Sequence, residues 1–143
     1  MTVVDASVMV SALQPGDVNH KVSRGWLDQQ IDDRRPLAAP YLLLSEIAGA
    51  IARVTGDPSA GHTAVTSVLA IHSFTLIPDV GEPPLLASQL AADLQLKGAD
   101  ATYVAVAMQL DMELVTWDRE QFERGGRRIV TRRPEASMSQ HDT

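Results

Sequence analysis

Thr2-Val3-Val4-Asp5-Ala6-Ser7-Val8 is the stretch on which the fold turns. Its β-branched run suits a pleated, half-buried strand, and Asp5 both ends that strand and opens a helix as an N-cap. The helix reads over 6–13 and stops at Gln14-Pro15-Gly16-Asp17. A strand passing straight into a helix is the first half of a β-α-β unit. The same handover recurs at Leu114-Val115-Thr116-Trp117-Asp118, which predicts a strand over 113–116 and a short helix over 118–123. Between them, Val22, Trp26 and Leu27 recur at helical spacing within 18–32, and a brief strand falls at 37–39. A helix over 41–54 follows Pro40 and ends at Thr55-Gly56, and Asp57-Pro58 then caps another that runs to 71. A strand at 74–77, helices over 83–96 and 99–110, and a last strand at 128–130 complete the series. Strand–helix alternation of this kind defines an α/β fold: a parallel sheet of four to five strands flanked by helices.

At 143 residues the chain suits one domain, expected over 1–133, with the polar, aperiodic 134–143 as a disordered tail. It has no cysteine, which excludes disulfides, thiolate metal sites and cysteine nucleophiles. No basic, apolar leader is visible at Met1-Thr2-Val3-Val4-Asp5, and the most apolar stretch, 40–52, is too short to span a bilayer. A cytoplasmic protein without membrane attachment is therefore expected. The net charge of −6 argues, by itself, against a nucleic-acid binder.

Position matters more than that sum. In open parallel sheets, ligands bind beyond the carboxyl ends of the strands, where Asp5 and Asp118 fall. Each could equally be a simple helix N-cap, and Asp100, early in its helix, could simply complement the helix dipole. Glu46 is harder to dismiss. Its helix, Tyr41-Leu42-Leu43-Leu44-Ser45-Glu46-Ile47-Ala48-Gly49-Ala50-Ile51-Ala52, is apolar nearly all round and reads as buried, with no cation before Arg53. A buried, unpaired carboxylate costs several kcal/mol, so Glu46 calls for a distant arginine or a metal ion. Four converging carboxylates repel unless a cation joins them, and hard Mg²⁺ or Mn²⁺ takes oxygen ligands. The implied chemistry is metal-assisted attack of water on a phosphodiester.

Together, Val3-Val4-Asp5-Ala6-Ser7-Val8, Leu44-Ser45-Glu46-Ile47, Gly98-Ala99-Asp100-Ala101-Thr102-Tyr103-Val104 and Leu114-Val115-Thr116-Trp117-Asp118-Arg119 resemble the PIN domain, in order and spacing across about 1–130. More narrowly, they resemble the VapC-type ribonuclease toxins of type II toxin–antitoxin pairs. The resemblance implies an acidic pocket for Mg²⁺ or Mn²⁺, cleavage of RNA, a cognate antitoxin and a homodimer. By it, Asp5, Glu46, Asp100 and Asp118 are the metal ligands, and Ser7 and Thr116 orient carboxylates or water. Some relatives carry a further acid where this chain has Thr116, so the number of ions stays open.

The histidines (His20, His62, His72 and His141) show no ligand or triad spacing, and no phosphate-binding glycine motif is present. Asp93 and Asp111 read as solvated surface. Two other functions fit an α/β chain with this acid pattern: a catalytically silent PIN-like module that binds RNA or protein, and a hydrolase of small phosphoesters. Without the four site acids the remaining charge is −2, and Arg119, Arg124, Arg127, Arg128, Arg132 and Arg133 set six cations against Glu120 and Glu123. That segment is either a solvated face or a phosphate rim beside Asp118.

Overall fold

The computed structural model describes residues 1–78 and 82–135. Five strands, β1 (Thr2–Val4), β2 (Leu37–Pro40), β3 (Phe74–Ile77), β4 (Glu113–Val115) and β5 (Thr131–Arg132), form one sheet in the order β3-β2-β1-β4-β5. Every pairing is parallel, with Val3 opposite both Ala38 and Leu114. Seven helices join them: α1 (Ala6–Leu13), α2 (His20–Asp32), α3 (Leu42–Thr55), α4 (Pro58–Leu69), α5 (Glu82–Leu94), α6 (Gly98–Leu110) and α7 (Arg119–Gly125). None of these helices is long and apolar enough to cross a membrane.

The central strands are buried on both faces, as covered parallel sheets require. Val3, Val4, Leu37, Ala39 and Leu114 are wholly inaccessible. Truncating Leu114 to alanine would cost about 2–5 kcal/mol by opening a cavity there. Helices pair as they follow one another, α1 with α2, α3 with α4 and α5 with α6, and α6 lies across β1, β2 and β4. The α3–α4 contact is close. A Cβ on Gly61 would stand 2.6 Å from the Ala48 carbonyl oxygen.

The strand order also locates the site. From β1 the chain steps outward to β2 and β3, then returns to β4 on the opposite side of β1. The reversal leaves a crevice between the carboxyl ends of β1 and β4, the place where open α/β sheets hold ligands.

Two features differ from the sequence reading. The last strand lies at Thr131–Arg132 instead of 128–130, because the chain keeps turning after α7. The Arg128 and Ile129 amides both bond to the Gly125 carbonyl, so the ladder to β4 opens only at Val130. Helix α3 is not buried all round. Only Leu43, Ile47 and Ile51, four residues apart, are buried, while Leu42 and Leu44 pack partly against the core and Tyr41 and Val54 are 50% and 64% exposed. The stretch expected as a disordered tail, 134–143, lies outside the described residues from 136 onward; Pro134 is buried and Glu135 exposed.

Candidate active site

Asp5 leaves β1 still in the sheet, its amide donating to the Val115 carbonyl at 3.0 Å. It caps α1, and its Oδ2 accepts from the Ser7 amide at 3.1 Å. The same oxygen accepts from Thr116 Oγ1 at 3.2 Å, across the crevice at the end of β4. Capping and site membership are therefore not alternatives for Asp5. The side chain does both with one oxygen, and burial pushes its carboxyl above the usual range while the hydrogen bonds oppose that.

Thr116 is fully buried and sets the order of protons in this network. A carboxylate only accepts, so the Thr116 hydroxyl proton goes to Asp5. Its oxygen then receives the Asp118 amide at 3.0 Å and stands 3.4 Å from Ser7 Oγ, whose own proton goes to Thr116 or directly to the Asp5 carboxyl. Ser7 in turn accepts the Trp117 amide at 3.0 Å. Every hydrogen runs one way, from Trp117 through Ser7 and Thr116 to Asp5. Both hydroxyl protons are committed, which makes Ser7 and Thr116 orienting groups with no proton free for a substrate.

Asp118 caps α7 and accepts the Gln121 amide at 2.8 Å through Oδ1. Gln121 is wholly buried; its Nε2 donates to the Asp100 carbonyl at 3.2 Å, and its Oε1 finds no partner among the described residues. Asp100 stands in the first turn of α6. Its carboxyl is pushed up to about 6, chiefly by burial, then by the charges of Asp118, Asp5 and Glu46, with Lys97 opposing. Those three named charges record the proximity of all four acids. Glu46, half-buried on α3, accepts from the Tyr103 hydroxyl at 2.8 Å. Burial raises its carboxyl, the tyrosine lowers it and Asp5 raises it again. The Tyr103 phenol is held far above its ordinary range by burial and by the charges of Asp5 and Glu46, so it stays a donor.

The molecule therefore binds Asp5, Ser7, Thr116 and Asp118 into one hydrogen-bonded unit, and brings Glu46 and Asp100 within reach of its charge. It does not gather them into a finished cage. Among the described residues, no group of three or more His, Cys, Asp or Glu is arranged to hold a metal ion. Beside the acids opens a cavity of about 580 Å³, lined by Ser7, Glu46, Arg53 and Trp117 together with Asp17 and Asn19. Asp100 and Asp118 lie outside its lining.

From the sequence, Tyr103 is placed on the Asp100 face of its helix without a role, and Gln121 is not singled out. Gln121 had a local signal, since Asp118-Arg119-Glu120-Gln121 has the spacing of a capping box. Tyr103 follows Asp100 by three residues on the same helix, and a buried phenol needs a partner.

The arginine segment is mostly spoken for. Arg119 pairs with Glu123, Arg124 with Glu120, Arg128 with Asp93, and Arg132 with Glu113. Arg133 lies 4.4 Å over the Phe122 ring and donates to the Thr116 carbonyl at 3.0 Å. Arg127, Arg128 and Arg132 line a cavity with Met1 and Glu113, at the amino ends of β1 and β4, away from the acids. The expected rim beside Asp118 thus reduces to Arg119, whose side chain is 83% exposed.

A parallel sheet whose switch point carries four coupled acids defines a class, and the sequence meets that class directly. The PIN domain family model matches residues 2–127, and the chain belongs to the PIN domain family. Solved structures share the fold. VapC20 of Mycobacterium tuberculosis, described as a Sarcin-Ricin loop cleaving toxin, is 18% identical over 87% of this chain and 95% of its own, with a TM-score of 0.69. VapBC2 of Rickettsia felis, bound to a promoter DNA fragment, is 12% identical over 92% and 97%, at 0.71. A toxin–antitoxin complex from Klebsiella pneumoniae is 18% identical over 85% and 90%, at 0.61. No curated protein matches the sequence.

Proposed function

We propose that this chain is a Mg²⁺- or Mn²⁺-dependent endoribonuclease, the toxin of a toxin–antitoxin pair, working in the cytoplasm as a homodimer restrained by a cognate antitoxin. One observation carries the reading: Asp100 is raised to about 6 by burial and by Asp118, Asp5 and Glu46 together, with Lys97 offsetting only part of it, so the crevice concentrates negative charge. The likeness to VapC20 and to toxin–antitoxin complexes supports the toxin role.

The donor set suits a hard cation, being carboxylate oxygen throughout. Because no three of these side chains form a cage, the fit is to a hydrated ion that keeps several waters and shares the substrate phosphate. Asp5, Asp100 and Asp118 would hold it, with Glu46 holding one of its waters. When bound, such an ion supplies an acidified water and neutralises charge developing on the phosphate. The chain's own part is orientation. Thr116 and Ser7 fix the Asp5 carboxylate, Gln121 fixes Asp118 through its amide, and Tyr103 fixes Glu46.

The test is cleavage of structured RNAs by purified protein with Mg²⁺ or Mn²⁺, with EDTA, and as Asp5→Ala or Asp118→Asn. Cleavage that survives EDTA or either substitution overturns the mechanism. Growth arrest on expression, relieved by the protein encoded alongside, tests the toxin role. The absence of a preformed metal-holding group favours a second reading, a silent PIN-like module that binds RNA or protein without cutting it. Metal-dependent cleavage by the wild type eliminates it.

A further inference from the structure

Of the chain's twelve lysines and arginines, most are paired or lie away from the acids. Lys97 acts on Asp100 at the mouth of α6, and Arg53 is the one cation among the described residues that lines the cavity beside Glu46. It stands in the last turn of α3, lines the 580 Å³ cavity with Glu46, Ser7 and Trp117, and makes no ion pair or side-chain hydrogen bond among the described residues. Asp17 lines the same cavity, yet neither it nor Glu46 comes within ion-pair distance of the guanidinium. Gly49 marks where the side chain lies. One turn earlier on the helix, its missing side chain leaves the space where the guanidinium lies, and a Cβ there would be 3.1 Å from Nη1. The arginine is folded back along α3 towards the acids, with its donors unspent.

We propose that Arg53 binds a backbone phosphate of the single-stranded RNA that enters this cavity, with Trp117 as the wall against which the neighbouring base rests. Guanidinium forks match phosphate oxygens in pairs. A lone fork beside a cluster of carboxylates brings a polyanion to a crevice that would otherwise repel it. Trp117 is held for the second role, because its indole N–H donates to Ser23 Oγ at 2.7 Å and its amide to Ser7. Bases stack on such fixed aromatic surfaces regardless of sequence. This inference rests on the ribonuclease reading and adds the strand's path to it.

Fluorescence anisotropy of a short labelled single-stranded RNA tests it, with Mg²⁺ present and Asp118→Asn blocking turnover. Arg53→Ala is expected to weaken binding ~10-fold and to reduce the salt dependence by about 0.7 in log–log slope, the share of one phosphate. Arg53→Lys should fall between. In the active enzyme Arg53→Ala should raise KM and leave kcat nearly unchanged. A thermal melt separates this from a structural role: Arg53 is exposed, so Arg53→Ala should unfold at the wild-type temperature while binding RNA more weakly. Wild-type binding and cleavage with unchanged affinity in Arg53→Ala overturns the assignment alone. A wild type that neither binds nor cleaves RNA overturns the ribonuclease reading and this inference together.

Discussion

The two halves of the acidic crevice are built differently. On the β1–β4 side, Asp5 and Asp118 are joined through Thr116 and Ser7 by hydrogen bonds that leave no hydroxyl proton idle. On the α3–α6 side, Glu46 and Asp100 have little of that bracing. Glu46 leans on one phenol, and Asp100 is tied to its neighbours by charge alone, apart from its backbone carbonyl. The first half is fixed before anything binds; the second is under repulsion and eases when positive charge arrives. A site of this kind separates the task of placing a carboxylate from the task of responding to a cation.

The largest test of that contrast removes an acid of the fixed half. Asp5→Ala or Asp118→Asn is expected to lower metal-dependent RNA cleavage by roughly three orders of magnitude, the scale for losing a group that handles transition-state charge; gel-based cleavage kinetics read it. Thr116→Val tests the bracing itself. It leaves the Asp118 amide without its buried acceptor and Asp5 without one donor, at about 2 kcal/mol in denaturant unfolding, and should weaken Mn²⁺ binding ~10–100-fold by titration calorimetry. Tyr103→Phe probes the looser half, at a cost of about 1 kcal/mol. Because the phenol lowers the Glu46 carboxyl, its loss moves the acid limb of the cleavage profile to higher pH.

The smallest effect has the opposite sign. A carboxyl raised in the folded state binds protons there more readily than in the unfolded chain, so it destabilises above its folded value and the penalty fades as pH falls. Metal-free Asp100→Asn should therefore be more stable than the wild type at pH 8. The full displacement to about 6 is worth ~3 kcal/mol, and solvent screening at a half-buried group reduces that to about 1 kcal/mol. The advantage should shrink between pH 6 and 4. A stability difference that grows with acid would contradict the repulsion.

The fixed half was the legible half. Its acids end β-branched strands and cap helices, which are local signals, and the βα handovers fix where those strands point. Glu46 was singled out on a premise that the structure corrects, since α3 is open on the side that faces the cavity and the glutamate is only half-buried. An apolar helix sequence does not say which face its neighbours cover. Tyr103 meets Glu46 across 57 positions, and Gln121 reaches Asp100 across 21. Such pairings depend on how helices dock, which no window of residues records. The last strand was misplaced for a related reason: an extended-looking Arg-Arg-Ile-Val is held in a turn by α7 until Val130.

Gly61 stands on α4, outside the lining of the cavity, yet it bears on one of the site acids. Its bare Cα lets α4 touch the backbone of Ala48, two residues past Glu46, and any side chain at 61 would have to lever α3 away from its seat. Such a substitution acts as a remote dial, spoiling the placement of Glu46 while every catalytic atom is retained. Because overpacking of this kind takes about 1–3 kcal/mol from the folded state and so lowers its melting temperature, Gly61→Ala offers a temperature-conditional form of the protein, obedient when cool and disarmed when warm.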